Sequence, residues 1–271
     1  MNTIELCSKL EEATYFVNAF TGDEVLDPET SIGIGSAVAI SQRGDLLTAA
    51  HVVTGRLPVR EEDVTDQNVK IVAMRKGGNL IPYRPSIICG PSIINKYFKE
   101  PLVIDLALLH PIFPQSNIPH LAICKDPLQL GTQVLMAGFP DDMELPFSVD
   151  VKFDLNNPEL KAQRANLRVA KQLLMIKSGM IGHRNGINYS DSQYTLKGEI
   201  MYIDNELHTG ASGGPVVDMD GMIVGIMTER AITSVPFEET PNLRVPSGST
   251  VALSPRLIDM WIDQTINGKI S

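Results

Sequence analysis

Gly210-Ala211-Ser212-Gly213-Gly214-Pro215, running into Val216-Val217, is the stretch on which the reading of this chain turns. A serine hydroxyl is a weak nucleophile at neutral pH and needs a base beside it. It also needs donors for the oxyanion that forms when it attacks a carbonyl. A glycine two residues before the serine lets the backbone turn so that two N–H groups converge, and Gly210 and Ser212 are the expected pair. Working outward, Thr48-Ala49-Ala50-His51-Val52-Val53 places a histidine at the end of an apolar strand. Ile104-Asp105-Leu106-Ala107-Leu108-Leu109 places one carboxylate at the start of another. A charge there is costly unless paired, and an imidazole N–H would pair it. His51, Asp105 and Ser212 are therefore the candidate catalytic residues.

Chain order decides between two frameworks. The motif also satisfies G-x-S-x-G, the nucleophile elbow of α/β-hydrolases, in which the acid and then the histidine follow the serine. The five histidines, His51, His110, His120, His183 and His208, all precede Ser212. The order His, Asp, Ser is instead that of the chymotrypsin-like triad.

With these pieces the chain resembles the trypsin-like serine peptidases, in particular the bacterial HtrA/Deg-like proteases. The matching segments are Gly33 to Val38, Leu47 to Val53, Asp105 to Leu109, Gly210 to Pro215 and the hairpin run Val217 to Ile226. The likeness covers roughly residues 30 to 255. It implies an all-β fold of two six-stranded antiparallel β-barrels, with the triad in the cleft between them. Two departures matter. Processed zymogens of this fold carry an acid immediately before the serine, where this chain has Ala211, so activation by a newly cut N-terminus is not expected. HtrA-type enzymes carry a PDZ domain, and with about 60 residues after Ser212, most of them used by the barrel and final helix, none is expected here.

By resemblance the substrate pocket is walled by Asp204 to Thr209 and by Met227 to Arg230. Glu206, six residues before Ser212, would favour a basic side chain at P1, the residue bearing the scissile carbonyl. As a solvent-facing loop acid it would do nothing of the kind. His208 lines the same pocket or stays on the surface. A strand from Thr228 to Arg230 can pair with an extended peptide.

The strand pattern agrees with an all-β reading. Short apolar runs cover 36–40, 46–50, 69–74, 86–89, 103–109, 134–137, 173–176, 199–203, 215–217, 223–227 and 250–253, separated by Gly, Pro and Asp turns. Both ends read as helices. Leu6, Leu10, Ala13, Val17 and Phe20 make one stripe, Asn2 with Glu5 resembles a capping box, and Gly22 can stop the helix. At the other end Ser254 suits an N-cap and Pro255 the first helical position, with Leu257, Ile258, Trp261 and Ile262 as the apolar face and Gly268 as the stop. The expected organisation is a lead-in helix over 1–29, barrels over 30–125 and 126–253 with an insertion near 140–197, and a helix over 254–271. Pro236 to Pro246 reads as a loop.

Composition excludes other classes. Hydrophobic residues are 43% of the 271, enough for a substantial core, while aromatics are only 6%. Lys plus Arg is 23 against 32 Asp plus Glu, a net charge of −9 that disfavours nucleic acid as a partner. Cys7, Cys89 and Cys124 form no disulfide framework or metal pattern, and no phosphate loop of the form GxxxxGK[ST] occurs. No cofactor or metal is expected. Glu5, Glu11 and Glu12 break the N-terminal segment, which is neither a secretory signal nor a membrane span, so a cytoplasmic location is expected. The expected activity is serine endopeptidase on a polypeptide, with no membrane partner. The alternative is a peptide-binding module on the same fold, silent or switched on by a protein partner. An esterase on the same barrels would use the same chemistry.

Overall fold

The structure is a computed structural model that describes residues 1–23, 30–56, 59–64, 66, 68–89, 104–113, 115–140, 173–190, 195–206, 208–237 and 240–266. Twelve strands among them form two closed barrels. The first is built from β1 (Thr14–Phe20), β2 (Ser31–Ala39), β3 (Leu46–Thr48), β4 (Lys70–Arg75), β5 (Ile81–Cys89) and β6 (Leu106–Pro111), ordered β1-β2-β3-β6-β5-β4. The second is built from β7 (Gln133–Gly138), β8 (Met175–Ser190), β9 (Thr195–Ile203), β10 (Pro215–Asp218), β11 (Ile223–Phe237) and β12 (Thr240–Leu253), ordered β10-β11-β12-β9-β8-β7. The antiparallel double barrel implied by the resemblance is the fold found.

The N-terminal expectation needs correction. Helix α1 (Thr3–Ala13) starts at the Asn2–Glu5 capping box, as read, but stops at Ala13. Thr14–Phe20 is β1, paired to β2 on one side and β4 on the other, and all seven of its residues are buried. Val17 and Phe20 therefore belong to a strand, and the first barrel starts at residue 14 instead of 30. The Thr-Tyr-Phe-Val composition suits a strand. Leu6 and Leu10 of α1 are fully buried in a cluster with Leu47 and Leu108 of the first barrel and Val217 and Ile226 of the second. Each such leucine contributes about 1.5–3 kcal/mol by leaving water, so α1 helps hold the barrels together.

Two further boundaries move. Most of the expected insertion, 141–172, lies outside the described residues, but 175–190 and 195–203 are β8 and β9, staves of the second barrel. The expected loop at Pro236 to Pro246 is the far end of a long β11–β12 hairpin, with Ile232 opposite Pro246 and Val235 opposite Leu243. At the C-terminal end Ser254 accepts a hydrogen bond from Arg256 N–H and opens a 3-10 turn at Pro255–Ile258. Helix α4 (Asp259–Ile266) continues from it, after the short helices α2 (Ala50–Thr54) and α3 (Glu61–Val64). Arg256 grips Glu199 of β9 through both carboxylate oxygens, at 3.0 and 3.2 Å. Gly268 lies outside the described residues.

The first barrel also buries a second histidine–carboxylate pair. Asp45, 1% exposed, bonds His110 Nδ1 through one oxygen and Ser41 Oγ through the other, with Arg43 3.4 Å away. His110 Nε2 is buried without a hydrogen-bond partner among the described residues.

Candidate active site

His51 sits on α2, a single turn that follows β3 and ends at Gly55, whose N–H closes on His51 O at 2.8 Å. Asp105 lies one residue before β6, 4% exposed. Its two oxygens hold His51 twice: Oδ1 accepts the backbone N–H at 2.9 Å, and Oδ2 meets Nδ1 at 2.7 Å. The second contact fixes the ring and assigns its proton to Nδ1, which leaves Nε2 as the acceptor. The imidazole remains 23% exposed.

Ser212 comes from the other barrel, in the turn between β9 and β10. Its carbonyl accepts from Ser36 N–H of β2 at 2.7 Å, and Ser36 Oγ donates to Gly210 O at 3.0 Å. Ser36 Oγ also accepts from Phe139 N–H at 2.8 Å, so one buried hydroxyl ties the serine loop to both barrels. Packing here demands glycine. Gly213 has φ +84°, and a Cβ there would lie 2.1 Å from Ser36 O. A Cβ on Gly35 would meet Val52 Cγ2 at 2.5 Å and Ser212 O at 2.8 Å, so the residue after His51 and the Ser212 carbonyl converge on one point.

Gly210 is left-handed at φ +85°, and neither its N–H nor that of Ser212 is taken by another group among the described residues. Both remain available as anion donors. The Ser212 hydroxyl donates to Thr228 O at 3.0 Å. No hydrogen bond joins Ser212 to His51 among the described residues, and serine–histidine contacts of this kind commonly tighten only when substrate binds.

The pocket residues fall as follows. Glu206 and Arg230 face each other, with Nε 3.7 Å from Oε1, and Arg230 also donates to Thr209 Oγ1. An internal guanidinium thus occupies the carboxylate expected to bind a basic side chain. Lys177 donates to the Glu206 carbonyl, and Asn205 Nδ2 donates to Ser178 O at 2.8 Å, fixing this loop to β8. His208 is half-buried, and its carbonyl accepts from Ala211 N–H at 3.3 Å. Thr228 is buried and turns its hydroxyl to Val251 O at 3.4 Å. Glu229, between Thr228 and Arg230, was not singled out by sequence. Its side chain opens to solvent, yet burial raises its pKa, Asp105 raises it further, and His51 and Arg244 pull it back. Proximity in the sequence to Thr228 was the only signal that could have found it. Burial pushes the Cys89 thiol up to about 12, far from a reactive thiolate at neutral pH.

A double barrel with a carboxylate-clamped imidazole on one half and a glycine-framed serine on the other defines a hydrolase of the trypsin type. Residues 35–226 match the trypsin-like peptidase domain family, and the chain belongs to that family. Among solved structures, the Rv3671c protease from M. tuberculosis in its active form is 13% identical with a TM-score of 0.55, over 95% of this chain and 82% of that one. The inactive form of the Rv3671c protease is 14% identical with a TM-score of 0.54, over 96% and 92%. These two are likenesses of fold. Among curated proteins none matches the sequence.

Proposed function

We propose that the protein is a serine endopeptidase that works through an acyl-enzyme. The observation that carries this reading is the double grip of Asp105 on His51, which commits Nδ1 and leaves Nε2 as the ring's acceptor, while the Ser212 carbonyl packs at the same glycine as Val52, the residue after His51. Ser212 Oγ attacks the scissile carbonyl carbon as His51 Nε2 takes the hydroxyl proton, and the oxyanion settles on the Gly210 and Ser212 N–H groups. The C–N bond breaks, the amine leaves with the proton from His51, and water deacylates by the same path in reverse. Before attack the Ser212 hydroxyl turns from Thr228 O to Nε2. That turn frees Thr228 O to accept the N–H of the substrate residue being cut.

A fluorophosphonate probe should label the wild-type protein and not Ser212→Ala. Equal labelling of both would end this assignment. The resting contact between Ser212 and Thr228 supports a second reading, in which a protein partner aligns the site. Turnover that appears only with a partner present would favour it, and turnover by the isolated protein would remove it. The acidic charge and the free cysteines support a polypeptide substrate in a reducing cytoplasm.

A further inference from the structure

We propose that Glu229 sets specificity for a Lys or Arg side chain at P2, the substrate residue immediately N-terminal to the one being cut; this rests on the peptidase reading above. The argument starts from the free edge of β11. β12 pairs with one edge of β11 along its length, whereas β10 covers the other edge only from Ile223 to Ile226. From Thr228 onward that second edge meets no strand among the described residues. It is a template for an extended peptide.

The Thr228 carbonyl, 3.0 Å from Ser212 Oγ, fixes the register. A residue whose carbonyl lies over Ser212 brings its own N–H to Thr228 O. In an antiparallel ladder the preceding substrate residue then stands opposite Glu229, and the one before it opposite Arg230. Directly opposed residues project to the same face. Glu229 and Arg230 point to opposite sides of the strand. Arg230 reaches Glu206 and Thr209 of the loop before the serine. The Glu229 carboxylate lies in the fields of His51, Asp105 and Arg244. The P2 side chain thereby shares the face of the strand that carries the Glu229 carboxylate, on which His51 and Asp105 act through space.

Charge decides what fits there. Glu229 is partly desolvated, sits near a second carboxylate, and feels His51 and Arg244 only through space. An ammonium or guanidinium at P2 supplies the close counter-ion that no described residue gives it. An acidic side chain would meet two negative groups, a built-in exclusion.

The test is a peptide set varied only at P2, with Lys, Arg, Gln or Glu. Wild type should cleave the Lys peptide about five- to tenfold better than the Gln peptide, the difference lying mainly in KM. Glu229→Gln should erase that gap while its choice at P1 stays as in wild type, and Glu229→Lys should reverse the order toward Glu. The reversal separates recognition from simple damage to the fold. Probe labelling of wild-type Ser212 with no Lys preference would overturn the inference and leave the peptidase reading intact. Without labelling, the reading as a peptidase active by itself falls, and binding of the same peptides to Ser212→Ala, followed by fluorescence anisotropy, decides the inference alone. Equal affinity for Lys and Gln peptides would overturn it; a Lys preference lost in a Ser212→Ala, Glu229→Gln double variant would uphold it.

Discussion

The first barrel holds two histidine–carboxylate pairs of the same chemistry. His51 with Asp105 and His110 with Asp45 each join Nδ1 to a buried Asp. They differ in what lies beyond Nε2. His51 stands on a turn after β3 with its side chain 23% exposed, whereas His110 lies in β6 and its Nε2 is buried without a hydrogen-bond partner among the described residues. A serine is near the second pair as well, but Ser41 bonds to the carboxylate instead of the imidazole. A histidine–aspartate pair is therefore no mark of catalysis in itself. On the function proposed above, a nucleophile brought in by a separate element, Ser212, is what sets the His51 pair apart.

The most direct way to break this distinction is to neutralise each carboxylate. Asp105→Asn should lower kcat/KM by about 10⁴-fold through the wrong tautomer of His51, measured on any cleaved peptide. Asp45→Asn should leave the folded protein's turnover near wild type. A comparable loss of activity there would make the two pairs equivalent. Asp45→Asn should instead lower stability by about 3–5 kcal/mol, since it strips a buried pair of one member; urea titration reads the shift. An unchanged midpoint would show that this pair is not structural.

The His51 pair also acts on a charge offered by the second barrel, Glu229, and two smaller effects sharpen the contrast. Arg230→Ala should release Glu206 and raise cleavage after Lys or Arg by roughly fivefold, scored in a P1-varied peptide series. No gain would show that the Arg230–Glu206 contact does not gate P1. The smallest effect concerns pH. The Glu229 carboxyl is raised in the folded state, first by burial and then by Asp105. Folding therefore favours its protonated form, and that advantage is lost as pH rises through the folded value. Glu229→Gln should melt about 1 °C above wild type at pH 8 and converge with it in acid. A difference that grew toward low pH would contradict the sign.

Much of this was legible in the sequence because the deciding residues are local or ordered. Gly210 to Pro215 alone could be just a loop, and it reads as a nucleophile turn only together with His51 and Asp105, whose positions before it also separate the two hydrolase frameworks. The strands of both barrels largely coincide with their short apolar runs. β1 was hidden because Leu6, Leu10, Ala13, Val17 and Phe20 keep a helical spacing by coincidence. A strand buried on both faces shows no alternation to contradict it. The Asp45–His110 pair spans 65 residues, and nothing local to either marks the other. The Arg230–Glu206 contact depends on how the β11–β12 hairpin leaves the barrel, which no short motif encodes.

The early end of α1 has a practical result. The family match begins at residue 35, so an expression clone trimmed to it would discard Thr14–Phe20. β2 and β4 would then each present a raw hydrogen-bonding margin where they now flank the missing stave, inviting sticky, sheet-to-sheet association during purification.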